Sequence, residues 1–338
     1  MDDLFFIFQI KERDNKNNLD DRNWYKNKVI NKGVKQIKST LSYLRLYSEI
    51  LISNERGYRM NISSAKECDL IRKIRIYSPS NNFPEELRYE RFYNSSEIGL
   101  IHLFHVEDYY WICKYLLTPT EVDEYLEFRE CYYLADPERS NLLPEQYLLA
   151  HFMETLETSY VNPRYIANLQ HLKCNTDLFD LSYIIENFTN GTIHDNPAEY
   201  YPIIREISKL NRTELYEFKK RFIKSIEVCE KNEFNTPYRI YVPRTGCGFV
   251  FIPLHSSKLK YWKNALDNLV KAHRYEQKAK KCIGVSISKN PNMSEYLQLY
   301  WNYIEGEWKY DTEVEILLRD NPSPFRSVHT KKINSRYK

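Results

Sequence analysis

The sequence predicts an α/β region at the N-terminus, followed by a longer α+β region. The nearly continuous apolar run at residues 4–10 is typical of a central strand that is covered on both faces. An amphipathic segment from about residue 24 to residue 47 predicts a helix directly after it. Beyond residue 81, strand and helix patterns alternate without an internal repeat. A chain of 338 residues is long enough for about two domains.

The helix of the N-terminal region is predicted by apolar residues that recur at steps of three and four. These positions, which define one buried face, are Ile30, Val34, Ile37, Leu41 and Leu44. Two further strands are predicted at residues 57–62 and 71–77, and in the second one isoleucines alternate with Lys73 and Arg75. The polar stretch at residues 78–82 then indicates a linker, so we assign a first domain to residues 1–80.

Residues 81–325 are assigned to a second, α+β domain, and residues 326–338 to a basic tail. The predicted elements of the second domain are a strand at 98–106, helices at 121–133 and 144–156, a polar loop at 187–197, helix over most of 199–230, a hairpin of 238–242 and 249–254, a helix at 261–280, a strand at 283–288 and an aromatic segment at 296–308.

Composition excludes several classes of protein. Only eight glycines occur, and no glycine-rich phosphate-binding motif is present, which argues against dinucleotide binding and P-loop chemistry. The seven cysteines never form a C-x-x-C pair, which favours free thiols in a reducing compartment. No apolar run approaches the length of about 20 residues that spans a bilayer. We therefore expect a soluble, cytoplasmic protein that does not enter a membrane.

The charge is unevenly distributed along the chain. Residues 1–80 contain 16 basic and 10 acidic side chains, and residues 326–338 contain five basic and no acidic ones. The intervening region is acidic. This polarity predicts that a polyanion would contact the N-terminal region. We single out Lys32, Lys35 and Lys38 on the predicted helix as residues that would contact nucleic-acid phosphates.

One local pattern carries a specific chemistry. Residues 8–11, Phe-Gln-Ile-Lys, end the first strand, and the next helix contains Gly-Val-Lys-Gln-Ile at residues 33–37. Residues two apart on a strand project from the same face, so Gln9 and Lys11 point into one cleft. This combination resembles the third core strand and following helix of the PD-(D/E)xK nuclease superfamily, especially its Mrr-like and NERD-like branches.

The resemblance implies a partial restriction-endonuclease-like core with Mg²⁺ as its cofactor. Gln9 would offer its amide oxygen to the metal, and Lys11 would be the catalytic lysine that activates water and stabilises phosphate charge. Gln36 would face the same cleft, and Gly33 would let the helix approach the sheet. The implied activity is Mg²⁺-dependent cleavage of DNA, in a bacterial defence or mobile-element setting.

The chain also departs from the superfamily pattern. The family has a carboxylate on a neighbouring strand, and the acidic residue on the correct face here is Asp3. In an extended strand, Asp3 would lie about 20 Å from Gln9, too far for both residues to bind one ion. Either the residues that carry the acidic ligands would precede Asp3 and are missing from this sequence, or the cleft is degenerate. The alternative hypothesis is a catalytically inactive nuclease-like module that binds nucleic acid or a protein partner. A third is an interaction protein whose acidic second domain binds the partner.

Three other groups of residues are candidate functional sites. His102 and His105 form an H-x-x-H pattern, but residues three apart on a strand face opposite ways, which favours ordinary half-buried histidines. Cys247 could pair with His255 as nucleophile and base, although a glycine-containing hairpin turn explains the same residues better. The aromatic segment could stack bases, but packing in a helix is favoured for its three side chains, Trp301, Tyr303 and Trp308.

Overall fold

A computed structural model shows two compact units, Met1–Cys174 and Asn175–Arg336. The residues that it describes are 4–13, 20–55, 59–81, 83–172, 181–182, 184–185, 200–290, 293–320 and 323–325. The predicted boundary after residue 80 is wrong, because it falls inside the first unit. Strands on both sides of residue 80 belong to the same sheet. The polar stretch there is a connection within this unit.

The first unit is built on a mixed four-stranded sheet with a small separate hairpin. Its strands are β1 (Leu4–Glu12), β2 (Leu51–Ser53), β3 (Arg59–Asn61), β4 (Leu70–Ser78), β5 (Phe92–Ser95) and β6 (Gly99–His105). The order in the sheet is β1-β4-β6-β5, with β1, β4 and β6 parallel and β5 antiparallel to β6. Among the described residues, strands β2 and β3 pair only with each other. The strand predicted at residues 57–62 therefore lies outside the main sheet.

Helices cover both faces of this sheet. They are α1 (Asp21–Trp24), a π-helix (Tyr25–Asn31), α2 (Lys32–Leu46), α3 (Glu85–Arg88), α4 (Val106–Tyr115), α5 (Pro119–Ala135), α6 (Pro137–Ser140), α7 (Glu145–Glu154) and α8 (Ile166–Leu172), with 3₁₀ turns at Ser63–Glu67 and Pro163–Tyr165. On one face, Ile7 and Tyr77 pack against Val29 and Ile37 of the π-helix and α2. The opposite face forms a second core with α4, α5 and α7.

Strand β1 differs in one respect from the central strand that its apolar sequence predicts. It lies at the edge of the sheet, where it pairs with β4. Ile7 is buried, but Ile10 is 70% exposed near the strand's C-terminal end. Strand β4, by contrast, is internal to the sheet and buried on both faces, contributing Ile74 to one core and Tyr77 to the other. An apolar run alone does not distinguish these two positions.

The second unit contains another mixed sheet, in the order β10-β9-β8-β7. Its elements are α9 (Tyr201–Ser208), α10 (Arg212–Glu230), β7 (Tyr238–Val242), β8 (Cys247–Pro253), a 3₁₀ turn (Ser256–Tyr261), α11 (Trp262–Gln277), β9 (Lys281–Asn290), β10 (Met293–Glu305) and α12 (Thr312–Asp320). The predicted hairpin is confirmed by antiparallel β7 and β8, with Gly246 at a φ of +65° in the turn. Strands β8 and β9 are parallel and connect through α11.

Other predictions for the second half of the chain can also be compared with the structure. The helices predicted around residues 121–133, 144–156 and 261–280 are confirmed as α5, α7 and α11. The helix considered for Trp301 and Tyr303 is wrong, because both residues lie on β10. The polar loop at 187–197 and the basic tail at 326–338 lie outside the described residues.

Candidate nucleic-acid interface

The two residues of the Gln-x-Lys pattern lie on the face of β1 that is covered by the α1–α2 helical segment. In the parallel pairing of β1 with β4, Gln9 lies opposite Arg75 and Lys11 lies opposite Tyr77. Tyr77 belongs to the core that this sheet face forms with the helical segment. Gln9 and Lys11 are both half-buried. Asp3, the acidic residue predicted on the same face of the strand, lies outside the described residues.

Helix α2 approaches the sheet closely at Gly33. A Cβ atom at this position would lie 3.2 Å from Nε and 3.3 Å from Cδ of Arg75, which is tighter than an ordinary van der Waals contact. The glycine therefore leaves room for the arginine side chain between helix and sheet. This agrees with the close approach expected of Gly33, and it identifies the side chain that occupies the space.

Arg75 occupies the centre of the predicted cleft. Its Nη1 donates a hydrogen bond to Oε1 of Gln36 at 3.2 Å, and its Nη2 donates to the backbone carbonyl of Lys28 in the π-helix at 2.7 Å. The side chain is only 1% exposed, and burial lowers the pKa of Arg75 to about 10. Among the described residues, no carboxylate forms an ion pair with this guanidinium. Neutral oxygens therefore hold a buried positive charge here.

The residues present in this cleft do not fit a magnesium ion. The amide oxygen of Gln36 already accepts a hydrogen bond from Arg75, and the guanidinium would repel a divalent cation placed beside Gln9. Magnesium is usually held by at least one carboxylate. In the described part of the chain, no group of three His, Cys, Asp or Glu side chains is arranged to hold a metal ion. We therefore derive no metal-assisted step at this cleft.

Sequence reasoning missed Arg75 as a residue of the cleft. The alternation on this strand predicts only that Arg75 is a polar residue of a half-exposed strand. Its burial follows from the central position of β4, where both strand faces are covered. Had β4 been identified as the central strand, Arg75 would have required buried hydrogen-bond acceptors, since a buried charge is costly without them. A charged residue on a strand that is covered on both faces is therefore the signal that could have identified Arg75.

The outer face of the same helical segment is basic. From residue 22 to residue 48, the chain has seven Lys or Arg side chains and no Asp or Glu. Four exposed cations form no ion pair with any described residue, namely Lys26, Lys32, Lys35 and Arg45. The other predicted phosphate contact, Lys38, forms an ion pair with Glu97. The structure thus leaves Lys32 and Lys35 on an open basic face and places Lys38 beside a carboxylate.

The two histidines of the H-x-x-H pattern have separate structural roles. His102 is 1% exposed, and its Nε2 lies 2.8 Å from Oε1 of Glu130. Burial lowers the pKa of His102 to about 4. His105 caps helix α4, where its Nδ1 accepts a hydrogen bond from the backbone N–H of Glu107. Both histidines therefore have ordinary structural roles, as predicted, but they are buried and not half-buried.

Cys247 and His255 lack the features of a nucleophile and its base. Cys247 is fully buried on β8, and burial raises the pKa of its thiol well above the ordinary value, which disfavours the reactive thiolate. His255 caps the 3₁₀ turn, with its Nδ1 2.9 Å from Oγ of Ser257 and its ring stacked on Phe234. The hairpin interpretation of this region is the one that the structure supports.

The aromatic side chains of the second unit are engaged in packing and hydrogen bonds. Trp301 is 3% exposed and stacks on Phe222 of α10, with ring centroids 6.1 Å apart. The hydroxyl of Tyr303 donates to Glu305, and the indole N–H of Trp308 donates to the carbonyl of Tyr275. Packing of Trp301 is therefore confirmed, although it occurs on a strand.

Comparisons with other proteins add no further assignment. Neither the protein-family models, nor the curated proteins, nor the solved structures with which the chain was compared include a match. Across the described residues, no helix combines the length and apolar character needed to cross a membrane. The geometry of the first unit is therefore the basis for proposing a function.

Proposed function

We propose that this chain binds DNA through the outer face of the α1–α2 segment, and that its first unit is a restriction-endonuclease-like module that does not cleave the DNA it binds. The observation that carries the proposal is the acid-free span of residues 22–48, with its exposed and unpaired cations among the described residues. Cations in this arrangement attract phosphates without reading sequence, and they release counterions on binding.

The relation to the nuclease superfamily rests on local architecture. Parallel β1 and β4 are connected through the helical segment, and Gln9 and Lys11 share the face of β1 that this segment covers. These features support a restriction-endonuclease-like core. The position of Arg75 supports the inactive alternative, because a guanidinium lies where the resemblance implies a divalent cation. The proposal therefore retains the expected ligand and omits the expected Mg²⁺ chemistry.

The binding proposal is tested by the salt dependence of DNA affinity. Wild-type protein and the double variant Lys32→Ala/Lys35→Ala are titrated against a fluorescent duplex at several salt concentrations. Each lost phosphate contact reduces the slope of log K against log salt by about 0.9, so we expect a decrease of about 1.8 in the double variant. The matched control is Lys224→Ala/Lys263→Ala, which removes two exposed lysines of the second unit and should leave the slope unchanged.

A cleavage assay tests the second half of the proposal. Supercoiled plasmid and single-stranded DNA are incubated with wild-type protein or Lys11→Ala, in Mg²⁺, Mn²⁺ or EDTA. We expect no cutting by the wild type beyond the background of the variant. Metal-dependent cleavage that is lost in Lys11→Ala would restore the nuclease hypothesis. Failure to bind any DNA at low salt would reject the binding proposal and favour a protein-interaction role.

A further inference from the structure

The basic face of helix α2 ends in exposed aromatic and apolar side chains. Tyr43 is 51% and Tyr47 is 49% exposed, and their ring centroids lie 4.3 Å apart. Between them, Leu46 is 79% exposed. Large apolar side chains gathered on an open surface mark an interaction site more often than isolated ones do. We call Tyr43, Leu46 and Tyr47 the aromatic end of α2.

Tyr43, Leu46 and the lysines lie on one face of the helix, and Tyr47, the extended residue that follows the helix, packs its ring against that of Tyr43. Tyr43 follows Lys32 by about three helical turns, so both side chains project in nearly the same direction, separated by about 16 Å along the axis. Leu46 follows Lys35 at the same spacing. A ligand that extends along this face would meet cationic groups first and planar rings next.

The aromatic end is held in a fixed position by a small core beneath it. Leu44 of α2 packs with Ile50 and Ala65, which lie on either side of the β2–β3 hairpin in the sequence. The backbone N–H of Ile50 also donates to Oδ1 of Asn61 at 3.2 Å. The last turn of α2 is therefore anchored from its buried side, while its outer side remains open.

We propose that single-stranded DNA is the ligand of this face, with bases stacked on Tyr43 and Tyr47 and phosphates on Lys32 and Lys35. This inference rests on the proposed DNA-binding function and names its substrate class. Exposed rings can stack on bases only where those bases are not already paired within a duplex, and such stacking tolerates any sequence. Lysines contact phosphates, and tyrosines stack on the faces of bases. A DNA strand provides both groups, and neither contact requires the 2′-hydroxyl of RNA.

The test compares single-stranded and duplex probes with the full chain. Fluorescence anisotropy is measured with an oligothymidine of about 12 nucleotides, within the site sizes of known single-strand binders, and with a duplex of the same length. Wild type should bind the single strand more tightly. Tyr43→Ser/Tyr47→Ser should weaken single-strand binding about tenfold or more and change duplex binding less than about twofold.

Two further variants distinguish stacking from a structural effect. Tyr43→Phe/Tyr47→Phe retains the rings and should retain single-strand affinity. Tyr261→Ser removes an exposed tyrosine of the second unit and should change neither affinity. Circular dichroism verifies that each variant keeps the helical content of the wild type.

The outcomes separate the two proposals. Binding of neither probe would overturn the proposed function together with this inference. Equal or tighter binding of the duplex, or equal effects of the serine variant on both probes, would overturn the single-strand assignment alone. Tighter binding of an RNA strand than of the DNA strand would overturn the choice of DNA. Binding only to vesicles that contain anionic lipid would replace nucleic acid by a membrane surface.

Discussion

The guanidinium of Arg75, on the central strand of the first unit, donates a hydrogen bond to the side-chain oxygen of Gln36 on the helix above it. The same guanidinium reaches the carbonyl of Lys28, where the helix widens into a π-helix. The residues whose pattern resembles a nuclease motif thus lie around the positively charged side chain of Arg75. This relationship determines both what the cleft can hold and how much its residues contribute to stability.

The hydrogen bond from Arg75 to Gln36 predicts a stability change. Gln36→Ala should lower the free energy of unfolding by about 1.5–3 kcal/mol, because a charged donor loses its side-chain acceptor. Gln36→Glu should raise it above that of the wild type, because a carboxylate would pair with the buried guanidinium. Urea denaturation measures both effects, with Ser39→Ala on the exposed face of α2 as control. Equal stabilities of Gln36→Ala and the control would contradict this account.

Glu145 of α7 is the acidic centre of a second buried network. It is 2% exposed and pairs with Arg91 and, at 2.8 Å, with Nε of Arg129. Glu145→Gln should lower the free energy of unfolding by about 3–5 kcal/mol, because both arginines would remain buried without their carboxylate. Glu138→Gln, at an exposed position of α6, is the control. A loss below about 1 kcal/mol would show that the network tolerates unpaired charge.

His273 of α11 predicts a pH dependence of stability in the second unit. Its Nε2 lies 3.1 Å from the carbonyl of Ile240, and burial lowers the pKa of His273 to about 4. In the unfolded chain, a histidine takes up its proton near the ordinary pKa of about 6.5. The contribution of neutral His273 to the free energy of unfolding is therefore complete above that pH and declines as the pH falls towards 4. Between about pH 7 and pH 5, the histidine should account for about 2 kcal/mol of lost stability.

The measurement is urea denaturation of the full chain at both pH values. His273→Gln keeps a donor for the carbonyl of Ile240 but does not titrate, so its stability should fall less than that of the wild type between the two pH values. His255→Gln, at a position near the surface, should behave like the wild type in this comparison. Identical pH dependence of wild type and His273→Gln would reject the assignment.

We expect substitution of Trp301 to change the stability of the protein but not its affinity for DNA. Its ring packs against Phe222 in the core of the second unit, so Trp301→Ala should lower the free energy of unfolding by about 3–5 kcal/mol. At a temperature where this variant is folded, its DNA affinity should equal that of the wild type. Loss of affinity in folded protein would instead revive the hypothesis that this aromatic segment contacts bases.

Several elements could be predicted because their signals are local. The spacing of Ile30, Val34 and Ile37 predicted a helix with one buried face, and all three residues are buried against the sheet. The same spacing leaves Lys32 and Lys35 off that buried face, and both residues are exposed in the structure. Alternation of Ile74 and Ile76 with charged residues likewise predicted β4. Each of these features depends on the regular repeat of side-chain directions within a single helix or strand.

The sequence by itself determined the four longest helices, most of the strands and the basic character of α2. Only the tertiary structure decided that β1 is an edge strand, that one sheet continues past residue 80, and that Arg75 lies between Gln9 and Gln36. The physical reason is that periodicity is a property of neighbouring residues, whereas pairing order and buried charge depend on contacts between residues far apart in the chain.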